Sequence, residues 1–389
     1  MSDLRNDAPP TENAAEKRVE HPTQNPAAND ADLDRSHEST EDRRHHLPLT
    51  GPRLPRWAPG LVAVLAAAAA GLVTLTLGSG PVTWALTAVV LYAVALPLWS
   101  RVVENGRTAK DRLVTTLVWS AFATALVPLV SLVWTVLRYG GPQISAEFLT
   151  FSMRNIIGEG GGIYHAIMGS LLVTAAATAI SVPVGLMCSV YLVEYGGRSW
   201  AARTITFLVD VMTGIPSIVA GLFAYALFAL SFGPGVRMGF AGAVALSLLM
   251  IPIVVRSCEE MLRLVPDELR EASYALGVPK WRTILKVVLP TSLAGIITGV
   301  TLAVARVFGE TAPLLIIAGS TDSLNLNLFG ERMMTLPVFI YYSYTQPGVP
   351  PEFGEMRAWG AALVLIVIVM TLNLLARLVG RYFSPKTGR

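Results

Sequence analysis

Charge is scarce in this 389-residue chain: Lys, Arg, Asp and Glu make up 15% of it, against 53% hydrophobic residues. That balance excludes a soluble domain with an ordinary solvated surface. The formal net charge of +3 is too small to argue for a nucleic-acid partner. Cysteine is limited to Cys188 and Cys258, both near the inner ends of expected spans, so no structural disulfide is predicted. Four of the five histidines (His21, His37, His45 and His46) lie in the N-terminal tail and only His165 lies near an apolar run. No metal constellation follows, although His45-His46 offers a weak site beside the simpler reading of a solvated tail. The Gly-x4-Gly-Lys-[Ser/Thr] loop that cradles nucleotide phosphates is missing, and no Ser-His-Asp set is suggested. The chain is therefore expected to be no enzyme, with no catalytic residue, metal ligand or cofactor. If ATP drives it, another chain hydrolyses the ATP.

What is present is a series of long apolar runs. Residues 1–56 are polar and poor in aromatics, and the sequence predicts a disordered cytoplasmic tail there. Its length places the first apolar run too late for a cleavable signal peptide. Runs near 61–78, 82–100, 113–137, 165–192, 205–230, 236–256, 291–318 and 358–379 are each long enough for a membrane helix, predicting an all-α polytopic protein with about eight spans. Arg53, Arg56, Arg101, Arg107, Lys110, Arg112, Arg198, Arg203, Arg377, Arg381, Lys386 and Arg389 fall on one side of that arrangement. The positive-inside rule makes that side cytoplasmic and puts both termini there. On the outer side, Glu-Gly-Gly-Gly at 159–162 predicts a flexible approach to the fourth span. The run from Pro337 to Tyr344 is an aromatic belt at the membrane interface, or else a docking surface or outer gate.

The charged interruption after the sixth span carries the most information. Pro266 suits a first helical position, and Asp267, Glu268 and Glu271 follow it where the helix dipole favours negative charge. Leu269, Ala272, Ser273 and Leu276 share one helical face. Gly277 falls where a left-handed helix stop is expected, and Pro279 restarts a helix whose face carries Trp281, Ile284, Leu285 and Val288. Lys280 stands near that second N-terminus, where the dipole disfavours a cation, and so is expected to serve a partner. Two short amphipathic helices around a break are compatible with an ordinary cytoplasmic loop. However, Glu271-Ala272 followed by Gly277 resembles the EAA-x3-G loop of ATP-binding-cassette importer permeases.

Charge inside a span is a functional-site hypothesis. In the seventh span Arg306 and Glu310 stand four residues apart, which predicts one helix face and an ion pair. Gly309 and Pro313 loosen the helix beside them. A guanidinium fork matches an oxyanion such as phosphate, the alternative being an ion pair that joins helices. In the fifth span Thr213-Gly214-Ile215-Pro216-Ser217 predicts a kink whose hydroxyls meet freed carbonyls or substrate. Asp210, near its inner end, reads as a plain interfacial carboxylate. Glu194, Arg256, Glu259 and Glu260 are expected to snorkel at the inner boundary.

Four stretches together resemble the PstA-type permeases of phosphate-specific ABC importers. They are Gly161-Gly162-Ile163-Tyr164-His165-Ala166-Ile167, the run from Gly214 to Phe223, the EAA loop, and Gly309-Glu310-Thr311-Ala312-Pro313-Leu314-Leu315. The likeness covers roughly residues 113 to 380. It implies a first family helix and outer loop at 113–164 and a type-I (MetI-like) permease domain at 165–380, while the tail and an extra two-helix hairpin at 57–112 depart from the family's usual six-span plan. The permease domain contains a coupling loop at 257–290, and 381–389 form a cytoplasmic C-terminus. It also implies a second permease subunit, an ATP-binding subunit dimer and an extracytoplasmic phosphate-binding protein, within a cell membrane. Glu271, Ala272 and Gly277 take the coupling roles, joined by Lys280, Trp281 and Arg282, while Arg306, Glu310, Thr311, Thr213 and Ser217 line the substrate path. Competing readings are a permease for sulfate or molybdate and a transporter that needs no ATPase.

Overall fold

A computed structural model describes residues 54–78, 80–104, 106–197 and 199–383. Most of the tail expected to be disordered, with His45-His46, Arg53, Arg198, Lys386 and Arg389, lies outside them. Among the described residues every regular element is helical. The chain divides into two compact units, Met1–Ala125 and Leu126–Arg389.

The first unit is a helical hairpin, α1 (Ala58–Leu77) against α2 (Pro81–Val103), followed by the start of α3 (Gly106–Gly140). Buried Ala58, Val62, Ala66, Ala70 and Thr74 recur every fourth residue along α1, so small side chains let the two helices approach. Gly78 ends α1 in the left-handed region, φ +63°, with its N–H on the Thr74 carbonyl. The other end of the hairpin is closed by Glu104, whose side chain is 4% exposed. It accepts from the Leu54 N–H (2.7 Å), the Ser100 hydroxyl (2.6 Å) and, bidentately, from Arg112 (2.8 and 2.9 Å).

The second unit is built on α5 (Tyr164–Val190) and α8 (Gly239–Arg263), which meet along Val173, Ala177, Leu246, Met250 and Val254. Their approach depends on Gly185, where an added Cβ would lie 2.6 Å from the Val254 side chain. α11 (Leu289–Phe308) packs on α8 and on the last helix, α14 (Pro351–Phe383). The remaining helices are α4 (Ala146–Thr150), α6 (Trp200–Thr213), α7 (Ser217–Phe232), α9 (Asp267–Ala275), α10 (Lys280–Thr283), α12 (Ala312–Ile317) and α13 (Leu336–Thr345). Among the described residues seven helices are long and apolar enough to cross a membrane, and an eighth crossing exists only if α6 and α7 count as one.

The structure corrects four expectations. The fifth span is not a kinked helix: α6 and α7 meet at 110° across Gly214-Ile215-Pro216, where Pro216 supplies no N–H to continue α6 and pushes the residue before it towards extended backbone. The seventh span is not 291–318. It runs as one rod from Lys280 to Phe308 and stops at Gly309, since a helical Pro313 would clash with the carbonyl four residues earlier. The aromatic run is only half interfacial: Leu336, Pro337, Val338 and Phe339 are buried, whereas Tyr341 and Tyr344 are exposed. The glycine-rich approach is tied down, with Arg357 of α14 donating to the carbonyls of Gly158 (2.7 Å) and Gly160 (3.1 Å).

Burial alone would raise the Glu104 carboxyl pKa, but its hydrogen bonds and Arg112 outweigh burial and hold it at about 2. Because the folded value lies below the unfolded one, this stabilisation is complete above the unfolded carboxyl range and is lost as pH falls towards 2. Glu104→Gln leaves Arg112 without its counter-ion and is expected to destabilise the hairpin by about 1–3 kcal/mol at neutral pH. Faster deuterium uptake around residues 54–58 and 100–104 is the expected reading, and unchanged uptake would refute it.

Candidate coupling site and translocation path

The charged interruption begins as the sequence predicts. Pro266 precedes α9, Asp267 and Glu268 occupy its first turn, and Gly277 ends it at φ +74°. The Gly277 N–H reaches the Tyr274 carbonyl (2.9 Å) and the Val278 N–H reaches that of Ser273 (3.2 Å), a Schellman closure. Pro279 then starts α10, which passes through a π turn, Ile284–Val288, into α11 without a break. The expected second short helix is thus one end of a membrane span. A hydrogen bond of 2.8 Å between the buried Ser273 and Thr283 hydroxyls pins the two arms together.

The face expected to unite Leu269, Ala272, Ser273 and Leu276 does not pack against other described residues. Only Ser273 turns inward, while Leu276 is 83% and Trp281 55% exposed, with Leu269 and Leu285 also open. Glu271, Ala272, Gly277 and Arg282 are exposed beside them, Arg282 lying 5.2 Å from the Trp281 ring centre. Among the described residues no element covers this apolar helical face.

What holds this segment in place is Arg270. Its side chain is 11% exposed and donates to Glu194 (3.0 and 3.1 Å), to Asp267 (3.0 Å) and to the carbonyls of Val265 (2.5 Å) and Leu262 (3.0 Å). Glu194 is 4% exposed and sits in a second π turn, Tyr191–Tyr195, that closes α5. Lys280 donates to the Glu194 carbonyl and lies 5.0 Å from the Tyr195 ring, so it is engaged within the chain. Glu194 therefore does not snorkel, because a carboxylate this deep needs its guanidinium partner. Glu259 is likewise buried, between Arg256 (3.0 Å) and Arg263 (2.6 Å), and Arg256 also bridges to Asp210. Asp210 is thus no plain interfacial carboxylate: it ties α6 to α8.

The path residues gather at the two breaks. Thr213 is exposed and its hydroxyl caps the Asp210 carbonyl (2.6 Å), and Ser217 opens α7 half-buried. α7 seats on α12 through Gly221, where a Cβ would stand 2.7 Å from Pro313 Cα. One turn separates Gly221 from Ser217, and two residues separate Pro313 from Thr311, so this contact joins both breaks. Glu310 and Thr311 are half-buried. Arg306 is exposed and, among the described residues, no ion pair links it to Glu310. The expected i, i+4 pair fails because the helix ends between them.

Residues 181–389 match the family described as "Binding-protein-dependent transport system inner membrane component", more than half of the chain. The chain belongs to that family. Among similar proteins, this permease is 47% identical over 297 residues to "Phosphate transport system permease protein PstA 1" of Mycobacterium tuberculosis, covering 75% of the chain and 94% of the relative. It is 39% identical to the PstA phosphate permease of Yersinia pestis, covering 71% and 92%. Its fold resembles a chain in the crystal structure of a bacterial alginate ABC transporter with its periplasmic protein, with a TM-score of 0.53 at 12% identity, over 72% of this chain and 97% of that one. The permease is a multi-pass membrane protein of the type-I importer class.

The residues that sequence reasoning missed are Arg270 and Arg357. Arg270 lies between Leu269 and Glu271 in the charged interruption, and its signal is a lone cation off the apolar positions of α9. Arg270→Ala leaves Glu194 buried and unpaired, at an expected cost of about 3–5 kcal/mol. Thermal unfolding and deuterium uptake across 267–283 check this. Glu194→Leu with Arg270→Met is expected to recover most of the loss.

Proposed function

We propose that the chain is one permease subunit of an ATP-driven importer of inorganic phosphate, forming half of its translocation path in the cell membrane with both termini cytoplasmic. The observation that carries the proposal is the exposed apolar face of α9 and α10, fixed from beneath by Arg270 yet covered by none of the described residues. A groove on a separate ATP-binding subunit dimer takes this face, with Glu271, Ala272, Gly277, Trp281 and Arg282 at the contact. A second permease completes the path and an extracytoplasmic phosphate-binding protein delivers the anion. The names of the relatives in Mycobacterium tuberculosis and Yersinia pestis support phosphate as the cargo over sulfate or molybdate.

In this reading the ATPase dimer closes on ATP and carries the coupling segment with it. The rod Lys280–Phe308 transmits the shift to the Gly309 break, and the paired breaks at Thr213–Ser217 and Gly309–Thr311 re-aim around the Gly221–Pro313 contact. Phosphate released outside meets the unpaired Arg306 guanidinium, whose fork matches two of its oxygens. Glu310, set apart from Arg306, keeps the anion's stay weak enough for release.

Vesicles containing all four subunit types are expected to import labelled phosphate only with ATP and binding protein. With Glu271→Lys and Gly277→Asp combined, the complex is expected to assemble but not to transport. With Arg306→Glu, ATPase docking is expected to persist while uptake falls at least about 100-fold. Uptake without the ATPase subunit, or near-normal uptake by Arg306→Glu, would overturn the assignment.

A further inference from the structure

The basic end of the first unit holds a cavity that the transport path does not use. It is open, with a volume of about 1030 Å³, and lies between the end of α2 and the first turns of α3. Arg101, Arg107 and Lys110 rim it, and Val94, Leu98 and Leu113 form an apolar wall leading away from them. Four cations cluster at this end of the hairpin, and the structure treats them differently. Arg112 is consumed by the buried Glu104. Arg101, Arg107 and Lys110 have no carboxylate within ion-pair distance among the described residues. Val94 and Leu98 are exposed on the adjoining surface, as expected where acyl chains are the neighbours. The start of α3 adds the positive end of a 35-residue helix at the same place.

We propose that this cavity is a binding site for an anionic phospholipid of the cytoplasmic leaflet. The lipid phosphate sits among Arg101, Arg107 and Lys110, and one acyl chain lies along Val94, Leu98 and Leu113. The combination selects a lipid over free phosphate: the cations supply the anion contact, and the apolar wall has no use for a small hydrated ion. The leaflet assignment rests on the cytoplasmic orientation proposed above; the site itself does not.

The test uses the full-length chain, alone and with its partner subunits, in nanodiscs of phosphatidylcholine or of phosphatidylcholine with phosphatidylglycerol. Native mass spectrometry reads the lipid retained on release. Wild type is expected to retain phosphatidylglycerol selectively, and millimolar inorganic phosphate is expected not to displace it. Arg101→Gln, Arg107→Gln and Lys110→Gln together are expected to weaken retention on the order of 100-fold, about fivefold per cation. Neutralising Arg203, Arg377 and Arg381 instead removes the same charge elsewhere and is expected to leave retention unchanged. Since removing basic residues can disturb insertion, Ala93→Trp provides a second variant that fills the apolar wall and keeps every charge; it too is expected to lose the lipid. Equal retention by wild type and both cavity variants, equal loss in the control triple, displacement by phosphate, or no retained lipid would each overturn the proposal. Normal phosphate uptake by Ala93→Trp with lipid lost would leave the transport reading standing, and failed uptake by wild type with lipid retained would leave this one standing.

Discussion

One buried ion pair organises the charged end of this permease's second unit. Glu194 and Arg270 are 76 residues apart in sequence, yet their contact fixes α9 to the end of α5. A charge pair this deep contributes little net stability against an apolar alternative, because both ions are desolvated. Its value lies in geometry. The guanidinium meets a carboxylate, a second acid and two carbonyls at once, and no other placement of α9 satisfies all of them. With Arg270 spent below, the apolar residues of α9 have nowhere to go but outward.

The second constraint is the pairing of two broken spans. A break in a membrane helix frees backbone groups that hydrocarbon cannot satisfy, so it must be buried in protein or wetted. Here α6–α7 and α11–α12 are both interrupted, and the missing side chain at Gly221 lets Pro313 come into contact. The contact joins the helices that leave the two breaks, while Thr213, Gly214 and Gly309 stay exposed. Two π turns, at Tyr191–Tyr195 and Ile284–Val288, end α5 and begin the rod that follows α9, a type of helix irregularity that recurs at functional sites.

Helix content, span number and the break between α9 and α10 were legible in the sequence, because hydrophobic run length, Pro266, Gly277 and Pro279 each act locally. Gly277 was readable from residue type alone, since its φ of +74° is one that glycine adopts without strain. Partnerships across the fold were not legible. Lys280 seemed spare by helix-dipole reasoning, yet it answers a carbonyl 86 residues away. Arg306 and Glu310 seemed paired because the i, i+4 rule assumes a helix, and Gly309 with Pro313 removed that helix. Span boundaries failed for the same reason: apolar composition runs through both breaks, and backbone continuity does not. Arg357 escaped notice because nothing beside it in sequence points to the glycine-rich loop that it holds.

The unbroken run from Lys280 to Phe308 has a mechanical consequence. Its 29 residues measure about 43 Å, longer than a hydrocarbon core of about 30 Å, so part of the rod stands clear of the lipid. Hinged at Gly309, such a lever converts a tilt of about 5° into a sweep of roughly 4 Å at the coupling end. Read in the other direction, it gears a large inner stroke down to a small, forceful adjustment at the break.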